Sequence, residues 1–325
     1  MQLIISLTNA CNLNCKHCIV DKLFKSSLPI DAIEKIASTF DVSSVGIIGG
    51  EPFIRNDLDR IIDLFGNKPI TIYTNGIVLR KNPEKTITGD NINYAVSLDG
   101  MRRFHDYYRG AGTWIKTVET IRNLAREKER DNIKSVWIRM TISNKNKRDI
   151  IMVKKIADKL NIGVMYFPFL GIREPFSIKF QLNLFRWAVK YDNVSIYSPQ
   201  FWQFCGYKES TCQAGKYRLH VDENGNVNPC QWLRETILGN VYSNEYDYFV
   251  EKGLEYHKEN IKIKNECKYC IRRFSCKGGC RLSPDSMTCP VGRRLFAENV
   301  LDIDSLRIAE NKYERTFKNL KIVGC

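Results

Sequence analysis

The sequence predicts an α/β fold, a partial (β/α)6 barrel with a parallel sheet, followed by a small cysteine-rich region. Three observations carry that prediction. Over residues 1–191, short β-branched runs alternate with amphipathic stretches, the pattern of repeated βα units. Stretches rich in Cys, Gly, Glu and Asn fall just behind the runs, where parallel βα architectures gather their chemistry. From about residue 204 the alternation fades, and nine of the twelve cysteines lie beyond that point.

Taken in order, the strand-like runs are residues 3–7, 44–48, 70–73, 94–98, 136–142 and 163–167. Between them lie helix-like segments at 29–40, 56–65, 114–128, 147–160 and 177–191. The later stretch 217–221, the turn Asp222-Glu223-Asn224-Gly225 and the stretch 226–228 read as a hairpin, because Asn-Gly is the strongest short turn signal. The domain division that follows is a barrel over 1–191, a connector over 192–211 and an auxiliary region over 212–325.

A chain of 325 residues has room for one domain of about 200 residues and a second of about 100. The amino terminus lacks the features of a signal peptide, and no apolar run approaches the roughly 18 residues that span a bilayer, so a cytoplasmic protein without a membrane partner is expected. Twelve cysteines in such a chain read as metal ligands or catalytic thiols before disulfides. The net charge of +14 raises nucleic acid as a partner, yet the 50 Lys and Arg are spread along the chain without a basic-aromatic stripe, which counts against it. A basic surface suits an acidic peptide, an anionic cofactor or an acidic electron donor, and equally a merely solvated lysine-rich face.

Behind the first run comes Cys11-Asn-Leu-Asn-Cys15-Lys-His17-Cys18. Three thiols at this spacing can hold three corners of a cubane iron–sulfur cluster, and the next cysteine, Cys205, is far away. One iron would stay open for a non-protein ligand, as catalytic metal sites keep a position free. A zinc knuckle or scattered buried thiols are the plainer alternatives. Gly49-Gly50-Glu51 follows the second run, Thr74-Asn75-Gly76 the third, and Ser97-Leu98-Asp99-Gly100 ends the fourth, so four strand ends face one mouth.

These motifs resemble those of the radical S-adenosylmethionine (radical SAM) enzymes. Cys11, Cys15 and Cys18, with His17 before the last, are similar to that family's cluster loop, and Gly49, Gly50 and Glu51 to its Gly-Gly-Glu motif. The resemblance implies a [4Fe-4S] cluster whose open iron binds S-adenosylmethionine, with the second-strand motif at the amino group and Ser97 and Arg139 at the carboxylate or ribose. Residues 105–114 also resemble one branch of the family; there Asp106 and Arg109 are expected to form an ion pair at a helix start, and His105 to be a packed or exposed residue rather than a base.

Beyond the barrel, Cys212, Gly225, Cys230, Cys267, Cys270, Cys276, Cys280 and Cys289 match the spacing of the SPASM domain, which is found on radical SAM enzymes that mostly modify peptides. That resemblance implies two auxiliary [4Fe-4S] clusters, one on Cys205, Cys212, Cys230 and Cys280 and one on Cys267, Cys270, Cys276 and Cys289, making three clusters in all. Taken alone, Cys267, Cys270, Cys276 and Cys280 divide evenly between zinc ribbon and iron–sulfur site; their neighbours decide for iron–sulfur. Cys325 is left over, expected as a free thiol at a frayed end.

The family implies that a low-potential donor such as ferredoxin or flavodoxin reduces the first cluster, that S-adenosylmethionine is cleaved to a 5′-deoxyadenosyl radical, and that the radical takes hydrogen from a peptide. Crosslinking, oxidation or epimerisation would follow. Sulfatase-maturing relatives have an acid after the cysteine matched by Cys230; here Gln231 argues against formylglycine formation. The sequence opens on the first strand, so substrate recognition is expected from a separate protein, the barrel mouth or the basic surface. Tyr166, Phe167 and Phe169 are candidates for that mouth, with core packing expected for at least two. Alternatives are a maturase for a tetrapyrrole or other small cofactor, a non-catalytic iron–sulfur electron carrier, and a basic zinc protein binding RNA.

Overall fold

The computed structural model describes residues 1–21, 25–168, 178–197, 212–263 and 277. Strands β1 (Gln2–Ser6), β2 (Ser44–Ile48) and β3 (Ile70–Thr74) are buried on almost every residue. Continuous apolar runs are what strands need when helices cover one face and a barrel interior lies on the other. They are followed by β4 (Gly89–Ser97), β5 (Ile133–Ile142), β6 (Gly163–Pro168) and β7 (Val194–Ile196), and β1 through β7 pair in parallel as neighbours.

Helices α1 (Ile30–Thr39), α2 (Leu58–Asp63), α3 (Ile77–Lys81), α4 (Arg102–Arg109), α5 (Thr113–Glu129), α6 (Ile150–Lys159) and α7 (Ile178–Ala188) occur between the strands. Helix α5 shows the rule: Val118, Ile121, Leu124 and Ala125 repeat at helical spacing and are buried in the common core. The expected βα alternation is therefore present. β4 and β5 start earlier than their apolar runs because Gly89 to Asn93 passes through a register shift before regular pairing resumes. The short helices α3 and α4 lie outside the helix-like segments expected from the sequence.

The parallel sheet runs past residue 191 through β7, whose Val194 and Ile196 pair with Val164 and Tyr166. The expected hairpin forms from β8 (Arg218–Val221) and β9 (Asn226–Asn228), and β10 (Gly239–Asn240) extends it. This hairpin joins the barrel's own sheet: β8 runs parallel to β1, with Gln2 opposite Arg218 and Ile5 opposite Val221. The strand order is β10-β9-β8-β1-β2-β3-β4-β5-β6-β7. From β8, Arg218 reaches across and donates a hydrogen bond from its guanidinium to the hydroxyl of Tyr197, just behind β7. Helix α8 (Tyr246–Asn260) closes on the hairpin's base, where Gly215 and Gly253 approach so closely that a Cβ on either would sit 2.3–2.4 Å from the other's carbonyl oxygen. Among the described residues no helix is long and apolar enough to cross a membrane.

Candidate active site

The three-cysteine loop is built from its two ends inward. At its start Thr8 Oγ1 donates to Ser26 O at 2.9 Å, and Asn9 exchanges two hydrogen bonds with Ser26 at 3.1 and 2.8 Å, pinning the loop's entry to its return. In the middle the Lys16 amide donates to Tyr108 O at 2.8 Å, the Lys16 ammonium lies 3.5 Å over the Tyr107 ring, and His17 meets Tyr108 edge-on. Helix α4 thus buttresses the loop. Cys11, Cys15 and Cys18 all line one cavity of about 190 Å³ that runs from the carboxyl ends of the strands down to Gln2 and Arg218, the first residues of β1 and β8. Among the described residues no three His, Cys, Asp or Glu gather closely enough to hold one metal ion. Three thiols on one loop are a donor set that fits a cluster giving each thiol its own iron.

Gly49 and Gly50 are required by backbone contact. A Cβ on Gly49 would lie 2.4 Å from Thr8 O, and one on Gly50 2.0 Å from Ala10 O. The close approach allows the Gly50 amide to donate to Thr8 O at 2.6 Å and the Glu51 amide to Ala10 O at 2.9 Å. The backbone of the two glycines forms the cavity wall here.

Glu51, expected at the cofactor's amino group, turns its carboxylate inward. It is fully buried, with Oε1 accepting from Thr74 Oγ1 at 2.7 Å and the Phe53 amide at 3.4 Å, and Oε2 accepting from the Asn75 amide at 2.8 Å. Burial pushes its pKa up to about 7 against those three donors. Asn75 passes the constraint on: its Nδ2 donates to Asn12 Oδ1 at 2.8 Å and points at Cys11 Sγ, 3.8 Å away. The carboxylate orders the end of β3, and β3 orders the loop.

The expected Asp106–Arg109 pair does not form. Asp106 instead accepts from the Gly112 and Trp114 amides at 3.0 and 2.8 Å, capping the start of α5. Arg109 points the other way and donates from Nε to Asp99 Oδ2 at 2.6 Å. Asp99 also receives the Thr141 amide at 2.8 Å and stands 3.3 Å from His17 Nε2. Burial works to raise the Asp99 pKa, but the Arg109 guanidinium and the neighbouring His17 ring hold it at about 2. His17 is itself pushed below its ordinary range, chiefly by burial. His105 is packed, as expected, and accepts from the Asp99 amide at 3.2 Å through Nδ1.

Ser97 and Arg139 sit opposite each other in the β4–β5 register and both line the cavity. Arg139 lies over the rings of Phe167 at 4.2 Å and Tyr73 at 5.5 Å, and its Nε is buried without a hydrogen-bond acceptor. An orphaned donor in this wall fits a carboxylate-bearing cofactor. Phe167 also lines the cavity, whereas Tyr166 is fully buried and donates to Ile150 O at 2.8 Å. Phe169 lies outside the described residues.

The hairpin contributes the rest of the wall through Arg218, Gln231, Trp232 and Arg234. Gln231 is marked in the sequence by its place after Cys230; Arg218, Trp232 and Arg234 carry no motif, and only their spatial return to β1 reveals them. Cys212 and Cys230 are brought together at its base, where the Gly215 amide donates to Pro229 O at 3.1 Å. Burial chiefly raises the Cys230 thiol pKa, and Cys212 adds to the rise. Cys205, Cys267, Cys270, Cys276, Cys280, Cys289 and Cys325 lie outside the described residues.

Residues 5–155, which carry the three-cysteine loop and strands β1 to β5, match the family model of the Radical SAM superfamily. Homologues of this domain are enzymes. The chain is 24% identical over 331 residues to the radical SAM cyclopropyl synthase TigE of Paramaledivibacter caminithermalis, spanning 86% of this chain and 67% of that protein. It is 24% identical over 306 residues to the sporulation killing factor maturation protein SkfB of Bacillus subtilis, spanning 86% and 70%. Fe-coproporphyrin III synthase of Methanosarcina barkeri is 31% identical over 169 residues, 48% of this chain and 41% of the relative. Among solved structures, Streptococcus suis SuiB bound to the precursor peptide SuiA superposes with a TM-score of 0.69 at 17% identity, covering 89% of this chain and 73% of that one. The anSMEcpe enzyme with bound AdoMet and Kp18Cys peptide gives 0.70 at 19%, covering 98% and 96%. These superpositions support the α/β barrel fold.

Proposed function

We propose that the chain is a peptide-modifying radical SAM enzyme with a SPASM-type auxiliary region. The observation that carries the reading is that one cavity joins the three-cysteine loop, the Gly49–Gly50 backbone, the Ser97–Arg139 pair and the hairpin that ends at Cys230. A radical generator and a receptor for a second molecule share that space. Both TigE and SkfB match over 86% of the chain, and SkfB is named as a maturation protein.

When bound and reduced by an external low-potential donor, the [4Fe-4S] cluster and S-adenosylmethionine supply the homolytic chemistry that ends in hydrogen abstraction. The protein supplies the rest. Cys11, Cys15 and Cys18 hold the first cluster. Arg139 and Ser97 would receive the cofactor's carboxylate, and the Gly49–Gly50 backbone in the cavity wall would receive its ammonium group. The buried Asp99–Arg109 pair and α4 fix the loop, so that the thiols do not drift as the charge beside them changes. Cys212 and Cys230, with Cys205 and Cys280, hold one auxiliary cluster, and Cys267, Cys270, Cys276 and Cys289 the other.

A tetrapyrrole substrate is the second reading, favoured by the 31% identity to Fe-coproporphyrin III synthase, which spans 48% of this chain. Anaerobic reconstitution should give about twelve irons per chain, and incubation with dithionite and S-adenosylmethionine should release 5′-deoxyadenosine. Four irons or fewer would remove the auxiliary clusters, and no 5′-deoxyadenosine from a reduced cluster would sink the enzyme reading. A peptide encoded beside the gene that gains or loses mass on incubation separates the peptide from the tetrapyrrole.

A further inference from the structure

We propose that the substrate group received in the barrel is a carboxylate, and that Arg218 and Gln2, side by side at the barrel seam, are its receptor. The inference rests on the reading that this cavity takes a substrate, and it adds what that substrate must carry.

Four arginines line the cavity, Arg109, Arg139, Arg218 and Arg234, and among the described lining residues there is no Asp or Glu. Two of the four are already neutralised: Arg109 by Asp99 at 2.6 Å, and Arg234 by Glu223 at 2.5 Å. Arg139 and Arg218 have no carboxylate partner among the described residues. Arg218 is only 6% exposed, and it is held by two uncharged oxygens, Gln2 Oε1 at 2.6 Å and the Tyr197 hydroxyl. A buried guanidinium ordinarily demands a counter-charge.

Donors without acceptors mark the same place. Buried side-chain donors are almost always paired in folded proteins. Yet Gln2 Nε2, Arg139 Nε and Trp232 Nε1 are all buried, all lack a hydrogen-bond partner, and all belong to residues lining this one cavity. Each is an N–H donor, so the cavity is short of acceptors and of negative charge together. A carboxylate supplies both.

Arg139 and Arg218 stand at opposite ends of a stacked wall. The Arg139 guanidinium lies 4.2 Å from the Phe167 ring centre, Phe167 stacks on Tyr197 at 4.5 Å and 19°, and Arg218 lies 5.4 Å from the Tyr197 ring. One anionic group at Arg139, the cofactor's own carboxylate, therefore leaves Arg218 unmatched. The first cluster and the cofactor do not cancel it, since three thiolates on an oxidised cluster contribute about one net negative charge and the sulfonium offsets it; Cys230, whose thiol pKa Arg218 lowers, is turned to the auxiliary site, and its charge leaves the three N–H donors of the cavity without acceptors. Gln2 Oε1 accepts from Arg218 Nε, which fixes the amide so that its Nε2 is a second donor beside the guanidinium.

The test uses the reconstituted holoenzyme with S-adenosylmethionine bound and three blocked amino acids as probes at matched ionic strength. N-acetylglutamate α-amide offers a side-chain carboxylate, N-acetylglutamine a chain-terminal one, and N-acetylglutamine α-amide none. Calorimetric titration should show one of the two carboxylates binding roughly tenfold or more tightly than the diamide, as a charge-assisted forked contact requires. Which one binds identifies an acidic side chain or a carboxyl terminus as the source. Arg218→Met should reduce the ratio to about one, and Gln2→Leu, which leaves the Tyr197 hydrogen bond across the seam intact, should lower it severalfold. Equal binding of all three probes by the wild-type protein overturns the proposal, and so does a ratio that survives Gln2→Leu or a folded Arg218→Met, for then Arg218 is only a latch on the seam. Release of 5′-deoxyadenosine by the same wild-type preparation is read separately: its loss with the carboxylate preference intact strikes the enzyme reading, and the reverse strikes this one.

Discussion

Replacing Gly50 by alanine tests the claim that the Gly-Gly step exists so that two backbones can touch. The added Cβ would stand 2.0 Å from Ala10 O, 2.5 Å from Ala10 C and 2.7 Å from Asn9 O, all of them main-chain atoms that cannot rotate away. Carbon–oxygen contacts become comfortable only beyond about 3.4 Å, so the loop must retreat by roughly 1.4 Å. A retreat of that size breaks Gly50 N to Thr8 O, now 2.6 Å, and Glu51 N to Ala10 O, now 2.9 Å. Each bond contributes about 1 kcal/mol net, and a buried group left unpaired adds about 1–3 kcal/mol; the total is about 2–5 kcal/mol. At roughly 2–4 °C per kcal/mol, the melting temperature should fall by roughly 4–20 °C. The cysteine loop that moves is the one proposed to hold the first cluster, so iron after reconstitution should fall by about four atoms per chain. Gly66→Ala is the control: Gly66 has φ +55 but nothing within 4 Å of its added Cβ, so it isolates backbone strain of about 1 kcal/mol. If Gly50→Ala melts within about 1 °C of wild type and keeps its iron, the contact argument is wrong.

Three further outcomes follow from the same geometry. Asp99→Asn removes the counter-charge of Arg109, a cost of about 3–5 kcal/mol for a buried cation, and should lower both melting temperature and 5′-deoxyadenosine release; a variant that melts like wild type would deny the pair its role. His220 is buried between Ser6 Oγ at 2.9 Å and Asn228 Oδ1 at 3.1 Å, and burial lowers its pKa to about 4. The unfolded chain therefore holds a proton that the folded chain refuses, so below pH 6.5 stability should fall, by about 3 kcal/mol at pH 4, and urea titrations of His220→Gln should show a shallower loss than wild type over that window. Gly253→Ala sets a Cβ 2.3 Å from Gly215 O and should cost about 1–3 kcal/mol as overpacking, seen as a lower urea midpoint with unchanged slope.

The elements legible in the sequence were those whose signal is local. Residues 44–48 are bounded as expected because an apolar run between polar ends needs no partner to declare itself, and the Asn-Gly turn forecast the hairpin for the same reason. Position on strand ends was enough to bring Cys11, Gly50, Asn75 and Ser97 to one cavity. Side-chain direction was not legible. Glu51 carries the right group at the right strand end, yet Thr74 Oγ1 and the Asn75 amide draw it into the wall. Arg109 is three residues from Asp106, a spacing that favours pairing on a helix, but Asp106 is claimed by the open amides of the next helix, leaving Arg109 for Asp99.

Least legible of all was the pairing of β8 with β1, a contact across more than two hundred residues that no periodicity encodes. Its consequence is functional as well as architectural. Because β8 lies parallel to β1, the hairpin delivers Arg218 and Trp232 into the cavity that holds the three thiols, and it does so while carrying Cys212 and Cys230 at its base. A hairpin on a separate body could position auxiliary cysteines only as well as a linker allows. One hydrogen-bonded into the barrel holds Cys212 and Cys230 in fixed register with Gln2 and Ser6, so the proposed carboxylate receptor at Arg218 would be placed relative to both the three-cysteine loop and these two thiols by the same ladder. The seam is where the sequence-distant half of the chain becomes part of the active site.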